Sequence, residues 1–375
     1  MLYLDHAATT PTRAEVRAAM APYLGERFGN PSGIHATARA AKNSIEEARE
    51  RIAAAIGATR PLEIVFTGGG TEADNLAIAG AALARDGGVV TTAVEHAAVL
   101  ESARFVERLG HTVAILPVDR AGRVAPEMVA DAIDDGTAVV SVMTANNETG
   151  TIQPVENIIR IVRSGNGRVL IHTDAVQAFA SLPVHAGDNG PDLISVSGHK
   201  IGGPQGVGFL YVLDGIELEP VIHGGGQELG RRSGTHNVAA IVGLAAAVEA
   251  AVAERDAYRI RVGAARDRFE EDLRSRVPID VTVGDADRLV SHAHLRFPGI
   301  LAETLLVRLD LAGVAAAAGA ACHSGAITTS HVLVAMGLDR EAAAESIRFS
   351  FGRQDDVTTA EEAARVVAGV VEGMS

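Results

Sequence analysis

A lysine set where an apolar strand gives way to glycines offers the clearest chemistry in this chain. The run Leu193–Val196 ends in Ser197-Gly198-His199-Lys200, and a glycine-rich turn leads into a second apolar run, Val207–Leu213. An amine at such a mouth is partly desolvated. Burial disfavours the ammonium form, which leaves the amine neutral and nucleophilic near neutral pH. A Schiff-base lysine requires that state. Most lysines near strand ends are solvated surface charges, so this stretch alone leaves both readings open.

Four further stretches bear on the choice. Thr67–Asn75, TGGGTEADN, carries a strand into glycines and a helix start, where free N–H groups and the positive dipole end suit a phosphate. Gly68, Gly70 and Ala73 also satisfy the dinucleotide pattern, with Glu95 closing the next strand where a ribose contact belongs. Asp174 ends the strand of VLIHTDAVQ, at the edge where open α/β sheets bind ligands; it either caps the next helix or pairs with a cation such as a protonated pyridine nitrogen. Asp174 and Lys200 lie about one strand–crossover–strand step apart, so both can open into one crevice. Phosphate loop, strand-end acid and strand-end lysine together suit pyridoxal phosphate better than NAD, because a dehydrogenase has no need of that lysine.

Cys322, in GAACHSG beside His323, reads either as a small buried hydrophobe or as a thiolate on a loop. Arg348, in SIRFSFG, reads either as a surface strand charge or as a bidentate carboxylate clamp.

The elements that must position these groups alternate along the first part of the chain. Helical periodicity over Arg13–Leu24 and Ala36–Ile56 precedes strands at Leu62–Phe66, Val89–Val94, Thr112–Leu116, Ala138–Met143, Val169–Asp174 and Leu193–Val196. Helices near Ala73–Arg85, Leu100–Leu109, Pro126–Ile133 and Val155–Arg163 lie between them, which argues a mostly parallel sheet covered on both faces. After His223 comes a glycine-rich loop and a long Ala-rich helix, roughly Val238–Arg276. His292–Phe297 and Ser346–Phe351 then alternate like half-exposed strands, as in an α+β second domain.

The bulk numbers agree with an enzyme-sized globular protein. The 375 residues exceed one ordinary core, and 47% apolar with 21% charged residues is not a disordered composition. A net charge of −14 argues against nucleic acid or an anionic membrane surface as the main partner. No apolar run approaches a membrane span; the nearest, Val238–Val248, is broken by Glu249. Asp5 falls where a signal peptide would be apolar, and a single cysteine excludes an internal disulfide framework, so a cytoplasmic location is expected. No histidine cluster has metal-ligand spacing; His35, His172, His292 and His294 read as structural or surface residues, and no bound metal is expected.

Taken together, the motifs LDHAATTP, FGNPS, TGGGTEADN, VEHAAVL, ANNETGTIQP, HTDAVQ, SVSGHKIGGPQGVG, HGGGQE, RSGT, GAACHSG and SIRFSFGR stand in the order of a known family. The chain resembles the cysteine desulfurases, the NifS/IscS-like pyridoxal-phosphate enzymes of the class V aminotransferase group whose reactive cysteine sits on a long loop. The resemblance implies fold type I. A large cofactor-binding domain over residues 12–257, with a mostly parallel seven-stranded sheet between helices, stands beside a smaller α+β domain formed by 1–11 and 258–375 that carries the Cys322 loop.

The same resemblance implies roles. Lys200 carries the cofactor and moves the substrate Cα proton, Asp174 pairs with the pyridine nitrogen, Gln177 meets the ring oxygen, and His96 stacks on the ring and assists proton transfers as a catalytic residue. Gly70, Thr71, Ser197, Gly198 and His199 hold the phosphate, with Thr235 reaching it from the other subunit of a homodimer. Asn30, Asn147 and Arg348 bind substrate, Asn147 and Arg348 at its carboxylate. Cys322 takes sulfur from L-cysteine as a persulfide, leaves alanine, and passes the sulfur to an acceptor such as an iron–sulfur scaffold or a thiolation pathway. Two departures stand out: Ala320 replaces a common serine before Ala321-Cys322, and the chain ends sooner after SIRFSFGR than well-known iron–sulfur members, at the tail that meets a scaffold. A selenocysteine lyase or another class V enzyme is the alternative, and an NAD-binding oxidoreductase on Gly68, Gly70 and Glu95 the remote one.

Overall fold

The computed structural model describes residues 1–165, 167–187, 189–318 and 329–374. Cys322, with its neighbours Ala320 and His323, lies outside the described residues.

Among these, the strands are β1 (Leu2–Tyr3), β2 (Ile64–Thr67), β3 (Gly88–Thr92), β4 (Val113–Leu116), β5 (Thr137–Ser141), β6 (Leu170–Asp174), β7 (Leu193–Ser197), β8 (Gly208–Val212), β9 (Asp280–Val281), β10 (His292–Arg296), β11 (Val314–Ala315) and β12 (Ser346–Ser350). Seven of them form one sheet in the order β2-β8-β7-β6-β5-β3-β4. β3 to β7 pair in parallel with one another and with β4, whereas β8 runs antiparallel to both β7 and β2. A sheet of this kind is buried on both faces, and β2, β3, β6, β7 and β8 have no solvent-facing residue.

Register decides which helix layer each side chain meets. Leu170, Leu193 and Leu210 pack with the helices Gly70–Ala84 and Ala97–Arg108 on one face. Ile194, Val196 and Phe209 pack on the other face with Ala36–Ile56 and the first half of the helix Val238–Arg274. His172 and Asp174 share the first parity, because His172 pairs with Leu193 in register, so both face the helix Gly70–Ala84.

The long helix Val238–Arg274 runs through two apolar clusters. Up to Ala251 it packs against the large sheet, and from Tyr258 onward it joins a second cluster with Leu295, Phe349 and the helix Val357–Glu372. There β12, β10 and β9 form an antiparallel sheet, while β1 pairs in parallel with β11 and so ties the chain start to this second core. Phe269 on the long helix meets Phe349 at 5.0 Å and Phe351 at 5.4 Å between ring centroids.

β10 and β12 differ from the half-exposed strands expected of their alternation: β12 is buried throughout and β10 in all but Arg296. The apolar face meets the long helix. The polar face, with His292, His294, Arg348 and Ser350, is turned inward rather than towards water; Gly150 packs close to His292, and the Asn147 carbonyl accepts a bond from Arg348. Burial holds both histidines at about 3, so they are neutral.

One loop carries strain that a buried ion pair offsets. Glu228 and Leu229 sit in the left-handed region at φ 49° and 58°, which ordinary side chains rarely adopt. Glu228 accepts both guanidinium nitrogens of Arg49 at 2.8 Å, the Phe66 N–H at 2.9 Å and His236 Nε2 at 2.6 Å. Burial alone raises this carboxyl, but its Arg49 and His236 bonds outweigh that and hold it at about 2. A depressed carboxyl contributes stability above its unfolded value near 4.5 that is lost as pH falls towards 2. Replacing Glu228 by Gln leaves the buried Arg49 with only the partly exposed Glu46 carboxylate, 3.1 Å from its Nε, and a cost of about 3 kcal/mol is expected at pH 7. Urea midpoints between pH 7 and pH 3 check this: the gap between wild type and Glu228→Gln is expected to narrow on acidification, and a constant gap contradicts the ion-pair account.

Candidate active site

The carboxyl ends of β6 and β7, the start of the helix Gly70–Ala84 and the segment after β1 converge on one cavity of about 510 Å³. Lys200 and Asp174 both line it, together with His96, Gln177, Asn147 and Arg348. The chain folds this way locally because β7 is apolar to its last turn and then breaks. Gly198 turns the chain where a Cβ would lie 3.0–3.1 Å from the Pro204 and Val207 carbonyls and the Leu244 side chain. Its N–H donates to the Val207 carbonyl at 3.0 Å. Its crowded side and committed N–H make Gly198 the turn that delivers His199 and Lys200.

Lys200 Nζ donates to the carbonyls of Ala7 at 2.5 Å and Ala8 at 2.8 Å. Burial lowers its pKa from 10.5 to about 8 and Arg348 adds to this, against the opposing pull of Asp174 and Asp5. Asp174 ends β6 with Oδ1 accepting the Val176 N–H at 2.8 Å, the bond of a turn-capping acid. Burial raises its pKa against the stabilising influence of His96, that N–H and Lys200.

A second buried carboxyl, Asp74, faces the same cavity from the helix. Burial pushes it well up and Asp174 adds to this; the two acids titrate as a pair, and the groups that favour a charge, His96, the Val176 N–H and Lys200, act on Asp174. Behind them His172 bridges Ser141 and Ser195 at 2.9 Å on either side and is kept neutral, near 3, by burial.

His96 caps the helix Ala97–Arg108, its Nδ1 accepting the Ala98 N–H at 3.1 Å; burial lowers its pKa against the pull of Asp174. Gln177 Nε2 donates to the Ala7 carbonyl at 2.9 Å. His199 shares a bond with Thr9 Oγ1 at 3.1 Å and is held near 4 by burial, with Lys200 adding to it.

A second cavity of about 740 Å³ adjoins the first and shares Gly70, Thr71, Ser197 and His199 with it. No side chain caps the first turn of the helix Gly70–Ala84, which leaves N–H groups at its start for an anion. A Cβ on Gly70 would meet Val176 at 2.8 Å, so only glycine fits there. Gly68 is not part of that anion seat, since its N–H donates to Glu72 Oε2 at 2.7 Å. The dinucleotide reading fails at Glu95: the residue is wholly buried, accepts from Thr92 and the Met143 N–H, and is pushed by burial to about 8. No ribose reaches it.

Arg348 is buried, with Nη1 donating to the Asn147 carbonyl at 2.8 Å and Nη2 to Asp5 Oδ1 at 2.7 Å. Asn30 and Thr235 do not join this chain's cavity; both sit in exposed loops. Both ends of the stretch holding Cys322 reach the site: Ala317 pairs with Arg348 through backbone bonds of 2.7 and 3.1 Å, and Thr329 and His331 line the cavity. Among the described residues no group of side chains is arranged to hold a metal ion, and no helix is long and apolar enough to cross a membrane.

Asp5, Asp74 and Glu148 are site residues that motif reading passed over. Asp74 had a signal: it is an acid on the buried stripe of an Ala-rich helix, beside Ala73 and Leu76. Glu148 is buried at the cavity and accepts from Ser330 Oγ at 2.5 Å.

Comparison with known proteins places this geometry. A cysteine desulfurase IscS of Dictyoglomus turgidum is 45% identical over 94% of this chain and 89% of its own. A solved NifS-like protein superposes with a TM-score of 0.93 at 35% identity over 99% of both chains, and SspA in complex with cysteine with 0.82 at 36% over 94% of this chain and 99% of its own. Residues 2–365 match the class V aminotransferases, and the chain, with its strand-end lysine and acid in one cavity, belongs to this family.

Proposed function

We propose that this protein is a pyridoxal-phosphate-dependent cysteine desulfurase, and that the shared cavity of Lys200 and Asp174, with Arg348 on its wall, is where L-cysteine is processed. The residues fit the cofactor. Glycine is the one residue tolerated at Gly70 beside an uncapped helix start, which suits a phosphate; a buried acid with a single backbone partner suits a ring cation. The bound cofactor supplies an aldehyde for amine exchange and a protonated ring that takes up charge from the substrate.

The protein's own side chains do the remainder. Asp174 holds the ring-nitrogen proton, its charge stabilised by the cation it faces. Gly70, Thr71, Ser197 and His199 hold the phosphate, Gln177 the ring oxygen, and His96 covers the ring. Asn147 and Arg348 bind the substrate carboxylate, which points the Cα–H at Lys200. Lys200, with its lowered pKa, takes that proton as a neutral amine. Cys322 then takes the sulfur atom: its thiol and the substrate thiol become a Cys322 persulfide, and the substrate carbon leaves with hydrogen in place of sulfur as L-alanine. The persulfide sulfur passes to an acceptor protein, for iron–sulfur cluster assembly or thiolation, in the cytoplasm.

Asn30 and Thr235 act across a homodimer. Their exposed loops also carry Phe28, Ile34 and Leu229, at 71%, 92% and 69% exposure, apolar surface that a second copy covers.

The observation carrying this reading is that the Cys322 segment is anchored at the cavity of Lys200 and Asp174: Thr329 and His331 line it on one side, and Ala317 on the other pairs with the backbone of Arg348, which lines it too. Incubation with L-cysteine and a thiol tests it. Wild type is expected to release equal alanine and sulfide, and Cys322→Ala to keep the yellow cofactor band and lose sulfide release. Undiminished sulfide from Cys322→Ala removes Cys322 from the reaction.

A further inference from the structure

We propose that Asp5 is the resident counter-anion of Arg348 and thereby sets how tightly the site holds an amino-acid carboxylate. The inference rests on Arg348 being the carboxylate clamp. The guanidinium is 3% exposed, and a bare cation at that depth is costly. Asp5 Oδ1 accepts from Nη2 at 2.7 Å, the Asn147 carbonyl accepts from Nη1 at 2.8 Å, and Nε is buried with no hydrogen-bond partner among the described residues. Of the five N–H donors of a guanidinium, three therefore remain for a ligand.

Backbone pairing puts Asp5 there. Asp5 bridges Ser350 in parallel, two residues beyond Arg348 on the same strand. The Ser350 N–H donates to the Leu4 carbonyl at 2.7 Å, and the Ala7 N–H donates to Ser350 Oγ at 2.8 Å. Tyr3 Oη clasps the turn by donating to the carbonyls of Asp5 at 3.1 Å and Thr9 at 3.0 Å. The same segment supplies the two carbonyls that hold Lys200, so one short stretch serves the carboxylate end and the amine end of the site.

The consequence is electrostatic. An incoming carboxylate meets a guanidinium already half neutralised, and two carboxylates on one cation repel each other. The clamp orients its ligand without gripping it. Substrate and product carry the same carboxylate, so a weaker grip lets alanine leave.

Calorimetric titration of the holoenzyme with propionate, a carboxylate without an amine, tests this apart from turnover. Asp5→Asn keeps an oxygen for Nη2 and removes the charge; it is expected to bind propionate about tenfold tighter than wild type, the equivalent of a one-pKa-unit interaction. Its KM for L-cysteine is expected to fall without a rise in kcat. If Asp5→Asn does not fold, Asp5→Ser serves the same comparison. Unchanged or weaker propionate binding, with Arg348→Gln abolishing it, overturns the role of Asp5 and leaves the clamp standing. Binding that survives Arg348→Gln overturns the clamp reading and this inference with it.

Discussion

Lys200→Ala is expected to yield protein that binds pyridoxal phosphate reversibly and turns over L-cysteine at least ~100-fold more slowly, the lower end of what a positioned proton-transfer group contributes. Two losses coincide in this variant. The amine that forms the covalent link disappears, and so does the base facing the substrate Cα. Burial and Arg348 lower this amine to about 8, so a useful fraction is neutral near pH 7. That gives a pH signature in cofactor-free wild type. Uptake of the aldehyde needs the neutral amine, so its rate is expected to climb with pH and level off above about 8; a lysine in water continues to climb towards 10.5. Stopped-flow absorbance during reconstitution reads this directly, and a plateau near 10.5 contradicts the buried amine.

Asp174→Asn carries the second large effect. The substitution keeps the size of the side chain and its place beside the Val176 N–H but removes the carboxylate proposed to face a ring cation. Asp74 is a poor substitute, because burial and the neighbouring acid both disfavour its charged form. Breaking one side of a buried ion pair costs about 3 kcal/mol or more, so cofactor affinity is expected to fall roughly 100-fold. The rate falls as well, since an unprotonated ring takes up charge poorly. Equilibrium dialysis of the cofactor separates the two effects. Wild-type affinity in Asp174→Asn contradicts the pairing.

Much of the scaffold is legible in the sequence because local pattern and tertiary role agree there. The Ala36–Ile56 helix follows its apolar period and ends at Gly57, which takes up the left-handed conformation that stops a helix. β6 and β7 are short apolar runs closed by polar residues, and those closing residues are the ones that reach the cavity. The long helix Val238–Arg274 stands out by length and alanine content, although its passage from one core to the next leaves no break in its periodicity.

Elsewhere local pattern misleads. Alternation in β12 suggested water on one side, yet Arg348 and Ser350 face the rest of the site, because polar residues alternate just as well towards a buried polar cavity. Asp5 has no sequence signal at all. It matters only because β1 and the turn after it lie beside a strand at the far end of the chain, a pairing that spans 343 residues. Glu95 shows the reverse: spacing recommended it for a ribose, and burial behind β5 removes it from any ligand.

The central claim is that the amine of Lys200 and the carboxylate of Asp174 hold opposite ends of one aromatic aldehyde. Borohydride reduction of the yellow holoenzyme, followed by peptide mass mapping, tests it most directly. A single reduced pyridoxyl adduct is expected on the peptide carrying Lys200, with the same treatment of Lys200→Ala leaving no labelled peptide. An adduct on any other lysine, or full label in Lys200→Ala, contradicts the account.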